Sequence, residues 1–293
     1  MSELDLSYEG TLREVETPQG VLKYHEAGDG PPLLLLHGSG PGVTGWRNFG
    51  ENLATFAPHF RCLILEFPGF GVSAPSDLHP MMAAMPAVGQ FMDALGIEKA
   101  SIIGNSMGGV VGTRFAMAHP DRVERLVTVG GMGKNLFSST PGEGLRLLGA
   151  FNDDPTRERL VQWLESMVFD KSLITEELVQ ARWDHATEPE TLKSSRKMYS
   201  SAALEFMASI EAQSKEAPYW AMLHTVKCET LITWGRDDRV SPPDMALLPM
   251  RTIPKAELHM FPNCGHWTMI EAKDAWEAAV LAFLQRPERV SGY

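Results

Sequence analysis

The chain has little cysteine, no concentration of positive charge and no long apolar run, and each shortage removes a class of function. Only three cysteines, Cys62, Cys228 and Cys264, occur in 293 residues. They are odd in number, far apart and without metal-ligand spacing, so neither a disulfide framework nor a metal site is expected, and a reducing, cytoplasmic setting is. Lysine and arginine total 26 against 37 aspartates and glutamates, a formal net charge of −11. With no basic cluster interleaved with aromatics, nucleic acid and anionic membranes are not expected partners. No apolar stretch approaches the roughly 20 residues that span a bilayer. The acidic opening Met1-Ser2-Glu3-Leu4-Asp5-Leu6 carries no apolar core of a secretory signal. No lysine follows a G-x-x-x-x-G run, which excludes a phosphate-binding loop.

What is present fits a soluble globular protein, 44% hydrophobic and 22% charged. The length suits one large α/β domain or a core with an inserted piece. Leu12–Thr17 and Val21–Ala27 read as strands around a Pro18-Gln19-Gly20 hairpin. Leu33–Leu36, Arg61–Phe67, Ala100–Ile103, Val123–Val129, Thr230–Trp234 and Glu257–Phe261 are short apolar runs typical of strands buried on both faces. Helical spacing at Trp46–Ala57, Pro86–Leu95, Gly109–Ala118 and Ala272–Leu284 alternates with them. That alternation predicts an α/β fold with a mostly parallel central sheet and helices on both faces. From Lys134 to Ala217 only helical segments occur, with starts at Asp154-Pro155, Thr175 and the Thr187-Glu188-Pro189-Glu190 capping box. The expected organisation is a core of residues 1–133 and 218–293 interrupted by a helical lid of residues 134–217.

Gly104-Asn105-Ser106-Met107-Gly108-Gly109 joins a strand to a helix. A serine at so sharp a turn is held in strained backbone geometry with Oγ exposed above the sheet, and small neighbours let strand and helix approach. Ser106 is therefore the candidate nucleophile. A serine hydroxyl needs a base, and the base an orienting carboxylate, both after late strands. His266 alone of nine histidines lies in a Gly-bounded loop after the last strand. Asp238 and Asp237 compete for the acid after Thr230–Trp234, and the Gly-x-x-Asp spacing favours Asp238. The glycine-rich turn His37-Gly38-Ser39-Gly40-Pro41-Gly42 is where a second oxyanion donor must arise, so the N–H of Ser39 or Gly40 is expected to pair with that of Met107. His37 itself suits a structural role, tying its loop through the ring.

Together these segments resemble the α/β-hydrolase fold and, within it, the meta-cleavage product hydrolases. That resemblance rests further on Trp46 and Asn48, on Asn135-Leu136-Phe137, Val168-Phe169-Asp170 and Leu173-Ile174-Thr175 with Arg196, on Trp234–Arg239, and on Cys264-Gly265-His266-Trp267. It implies serine-dependent cleavage of a C–C bond in a 2-hydroxy-6-oxo-2,4-dienoate, an aromatic ring-fission product, giving 2-hydroxypenta-2,4-dienoate and a carboxylic acid. It also implies no cofactor and a homodimer or larger homo-oligomer. Arg196 is expected to clamp the substrate carboxylate, Asn48 and Asn105 to bind its 2-oxygen, and Trp267 and Phe169 to wall the pocket. A carboxylesterase or lactonase with the same triad is the alternative, and a non-catalytic receptor on this fold is a third. The Met- and Pro-rich stretch Leu78–Pro86 departs from the family pattern and leaves the C6 substituent undetermined.

Overall fold

The computed structural model describes residues 4–74 and 76–287. Its eight strands are β1 (Leu12–Thr17), β2 (Gly20–Ala27), β3 (Pro32–Leu36), β4 (Arg61–Leu65), β5 (Ala100–Asn105), β6 (Val123–Val129), β7 (Glu229–Gly235) and β8 (Ala256–Phe261). They form one sheet in the order β1-β2-β4-β3-β5-β6-β7-β8. β2 pairs antiparallel with both β1 and β4, while every pair from β4 to β8 is parallel. The expected α/β architecture is therefore observed.

Leu33, Leu34, Leu35 and Leu36 alternate between the two apolar cores on opposite faces of the sheet, and all four are fully buried. Each such side chain contributes roughly 1.5–3 kcal/mol on burial. The chain leaves β3 toward β4 on one side and β5 toward β6 on the other. The crevice between the ends of β3 and β5 is thus the topological switch point, where open α/β sheets hold ligands.

Two helical segments differ from the sequence expectation. Trp46–Ala57 is broken into Gly45–Phe49, a 3₁₀ turn Gly50–Asn52 and Leu53–Phe56. The helix expected from Pro86 starts earlier and spans Pro80–Ala94, with the His79 ring capping the Met81 N–H and Pro80 at its first position. Pro86 lies inside it. Burial of Ala83, Ala84, Ala87, Val88 and Phe91 along one face carries the helix through the proline, so tertiary packing overrides local propensity.

Between β6 and β7 the described chain is helical: Glu143–Asp153, Arg157–Met167, Glu176–Ala186, Pro189–Tyr199 and Ser201–Gln213, with a 3₁₀ turn at Lys171–Leu173 and another at Tyr219–Thr225. These helices lie over the C-terminal end of the sheet: Trp163 meets the Gly40 turn and the Met167 carbonyl meets the His266 loop. No helix among the described residues is long and apolar enough to cross a membrane.

Candidate active site

Ser106 follows β5 directly, with φ 51° and ψ −113°. A non-glycine residue holds such a conformation only when its surroundings over-determine it. Here the Ser106 N–H donates to the Val129 carbonyl at 2.8 Å, and Asn105 Nδ2 donates to the same oxygen at 3.0 Å. The helix Met107–Ala118 then packs so close to the sheet that a Cβ on Gly108 would sit 2.1 Å from the Leu36 carbonyl oxygen. Close packing thus fixes the turn and leaves the Ser106 side chain at the mouth of the crevice.

β7 and β8 lead into the loops that carry the candidate acid and base. Asp238 Oδ2 meets His266 Nδ1 at 2.7 Å, with both side chains buried. The other oxygen, Oδ1, accepts N–H groups from Val240 at 2.8 Å and Ser241 at 2.9 Å. These bonds fix the carboxylate's orientation, with Oδ2 aimed at the ring. Asp237 turns elsewhere, to Arg236 at 3.3 Å and the Cys264 N–H at 3.4 Å. Of the two adjacent aspartates, only Asp238 reaches the histidine.

Ser106 and His266 line one cleft of ≈ 220 Å³ together with Asn48, Asn105 and Trp267. Ser39 lines it too, whereas Gly40 faces the Trp163 ring and lines an adjoining cavity. The Gly38 N–H is already committed to Asn48 Oδ1 at 2.9 Å. The loop is tied down by His37, whose Nε2 accepts the Phe67 N–H at 3.0 Å, so that Nδ1 donates to the Gly38 carbonyl at 2.6 Å. Burial pushes His37 down to about 4, so its ring is neutral and structural.

Two expected residues are not in this cleft. Arg196 does not line it: the residue is exposed, and its Nε donates to the Asn152 carbonyl at 2.8 Å. Phe169 is half exposed, and its backbone N–H rather than its ring is engaged, by Glu271. In their place the cleft holds Trp163, Met167 and Arg182, which the sequence reading missed. Arg182 is 2% exposed, donates through Nη1 to the Pro41 carbonyl at 3.2 Å, and faces the Trp267 ring. Burial and then the nearby Arg47 charge push it down to about 9, still cationic at neutral pH. Three buried donors on cleft-lining residues, Asn48 Nδ2, Trp163 Nε1 and Arg182 Nε, have no acceptor among the described residues. The missed signal was available: Arg182 sits at helical spacing between Val179 and Ala186, a charge inside a buried stripe.

Comparison with known proteins fits this geometry. Residues 31–273 match the family described as alpha/beta hydrolase fold. A 2-hydroxy-6-oxo-6-phenylhexa-2,4-dienoate hydrolase of Burkholderia cepacia is 38% identical, covering 97% of this chain and 98% of its own. The chain is a meta-cleavage product hydrolase of the α/β-hydrolase family. A second such hydrolase, a 2-hydroxy-6-oxononadienedioate/2-hydroxy-6-oxononatrienedioate hydrolase of Comamonas testosteroni, is 37% identical, covering 97% of this chain and 99% of its own. The solved meta-cleavage product hydrolase from Pseudomonas fluorescens IP01 superposes with a TM-score of 0.83 at 30% identity, covering 94% of this chain and 97% of its own.

Proposed function

We propose that the chain hydrolyses the C5–C6 bond of a 2-hydroxy-6-oxo-2,4-dienoate, with Ser106, His266 and Asp238 as catalytic triad. The observation that carries this reading is Arg182, a buried cation on the same cleft as Ser106 with no carboxylate partner among the described residues. Burying an unpaired charge is costly, so such a guanidinium suits an anionic ligand. The unpartnered donors of Asn48 and Trp163 add to the preference for an acceptor-rich molecule, as a 2-oxo or 2-hydroxy carboxylate is. A plain ester substrate has no use for them.

In this mechanism Arg182 holds the dienoate carboxylate, while Asn48 and Asn105 bind near the 2-oxygen and Trp267 walls the pocket. Proton transfer to C5 converts the dienol to a ketone, which turns the departing fragment into a stabilised carbanion equivalent. The Ser106 hydroxyl gives its proton to His266 as Oγ adds to C6, and the N–H groups of Ser39 and Met107 stabilise the resulting oxyanion. The C5–C6 bond breaks with its electron pair leaving on C5, delocalised toward the 2-oxygen. The leaving dienolate takes the proton held by His266 and departs as 2-hydroxypenta-2,4-dienoate, and water activated by the freed His266 releases the carboxylic acid from the acyl-enzyme. We take residues 134–217 as the lid that excludes bulk water from these steps.

The buried free thiols Cys62, Cys228 and Cys264 support a reducing, cytoplasmic setting. The exposed apolar side chains Leu136 and Phe137, tied through the neighbouring Lys134–Glu211 ion pair to the helix that exposes Phe206, Met207 and Ile210, support self-association.

The test is a spectrophotometric panel of ring-fission dienoates carrying phenyl, methyl or carboxyethyl at C6, alongside a p-nitrophenyl ester. Loss of the yellow dienolate absorbance with stoichiometric acid release, abolished in Ser106→Ala, is expected. Ester turnover with no dienoate consumed would overturn the reading.

A further inference from the structure

His266 is held from two sides, and only one of them is the triad. Its ring meets Asp238, while its backbone N–H donates to the Met167 carbonyl at 2.7 Å, at the end of the helix Arg157–Met167. One residue earlier, a Cβ on Gly265 would lie 2.5 Å from that same carbonyl oxygen and 2.8 Å from Val168 Cα. The loop carrying the base therefore lies directly against the segment that leaves this helix.

One carboxylate spans that seam. Glu271 ends the turn Thr268–Glu271 after the base loop, and its Oε2 accepts the Gly265 N–H at 2.5 Å. Its Oε1 accepts the N–H groups of Phe169 at 2.8 Å and Asp170 at 3.0 Å. The carboxylate is met by three backbone donors and, among the described residues, by no lysine or arginine. A surface glutamate gains little from such an arrangement, whereas a partly buried one locks both segments into a single register.

We propose that Glu271 is a positioning residue for His266, clamping the base loop to the 167–170 segment so that the imidazole is in place only when that segment is docked. The inference rests on the triad reading above. It gives the helical layer a part in assembling the base as well as in covering the cleft. Lifting the 167–170 segment breaks the two Glu271 Oε1 bonds and the Met167 bond together, and so removes the support of the base loop on that side. Chemistry is thereby restricted to the closed state.

The experiment compares Glu271→Gln with the intact wild-type chain. The amide keeps the size but offers one acceptor oxygen, and its NH₂ opposes a backbone N–H. Labelling of Ser106 by a small fluorophosphonate reports activation of the serine without any dienoate. Expected are at least tenfold slower labelling and at least tenfold lower kcat on the 6-phenyl dienoate, with KM within about threefold and the melting temperature near that of wild type. Labelling and kcat within twofold of wild type would overturn the proposal, as would a change confined to KM. Hydrogen exchange on the wild type gives a second reading that needs no variant. The amides of Gly265, His266, Phe169 and Asp170 should open as one unit, and a 100-fold difference between the two pairs would sink the clamp. A wild type that labels but leaves dienoates untouched would fail the substrate assignment alone, with the labelling comparison still testing Glu271.

Discussion

The guanidinium carbon of Arg182 lies 5.2 Å from the centre of the Trp267 ring, the residue that follows the base. With Nη1 on the Pro41 carbonyl and Nε without an acceptor among the described residues, the Nε edge of the guanidinium is where a carboxylate would be bound by two parallel hydrogen bonds. Hydrogen bonds to charged groups contribute about 1.5–3 kcal/mol, which corresponds to about 10- to 150-fold. Arg182→Met is therefore expected to lower kcat/KM on the dienoate by that factor while leaving a p-nitrophenyl ester unaffected. Arg196→Met, which removes a partly buried bond to the Asn152 carbonyl away from the cleft, should stay within about twofold. Parallel initial-rate measurements on the two variants decide it, and the reverse ranking would refute the assignment.

Asp238 and Asp237 are adjacent in the chain but differ in what they hold. Asp238→Asn replaces the acceptor that fixes the His266 ring and its protonated nitrogen, and a loss of about 10⁴ in kcat accompanies that change in triad hydrolases. Asp237→Asn loses a long contact to Arg236 and a weak one to Cys264, so an effect of a few-fold is expected. Equal losses in the two variants would mean that both loops, rather than one carboxylate, set the base.

The proposed triad was legible in the sequence because each of its residues follows a short apolar run with its own local turn chemistry. Ser106, Asp238 and His266 needed only the strand order and the glycines beside them. The buried cation of the cleft was not legible in the same way. Arg182 and Arg196 lie on consecutive helices, Glu176–Ala186 and Pro189–Tyr199, and which face of each turns inward depends on packing between distant segments. Arg182 shares the buried face of its helix with Val179 and Ala186, whereas Arg196, at helical spacing with the partly buried Leu192 and Tyr199, reaches away from the cleft to the Asn152 carbonyl. Phe169 lies outside the cleft with its ring half exposed, and its contact with Glu271 is made by the backbone N–H, which no residue type announces. The early start of the Pro80–Ala94 helix was hidden by Pro86, since the packing that tolerates a proline there is tertiary.

His37 gives a pH prediction with a definite sign. Burial lowers it from 6.5 to about 4, so between those values the unfolded chain takes up a proton that the folded chain refuses. Its contribution is complete above about pH 6.5 and is lost as the pH falls toward 4, to a limit of ~3 kcal/mol. Neighbouring Glu66, raised by burial, works in the opposite sense. Urea midpoints measured from pH 7 to 4.5 should fall for the wild type and fall less steeply for His37→Gln, whose starting stability is lower. Identical slopes would remove His37 as the acid-sensitive group.

Two glycine-to-alanine changes should move stability in opposite directions. At Gly108 the new Cβ would meet the Leu36 carbonyl oxygen at 2.1 Å and the His37 carbonyl oxygen at 2.7 Å, both backbone atoms. Neither can yield without separating the elbow helix from β3, so Gly108→Ala is expected to cost about 3 kcal/mol or more and to displace Ser106. At Gly89, inside the helix Pro80–Ala94, the nearest atom is the tip of the Phe115 ring at 3.4 Å, an ordinary contact. Alanine there restricts the unfolded chain without a clash and should add roughly 0.5–1 kcal/mol. Thermal melts of both variants, with fluorophosphonate labelling of Ser106, separate the effects. Gly89→Ala should label at the wild-type rate from a more stable fold, while Gly108→Ala should lose labelling along with stability. A Gly108→Ala protein that melts and labels like wild type would mean that the strand-to-helix approach does not hold the nucleophile.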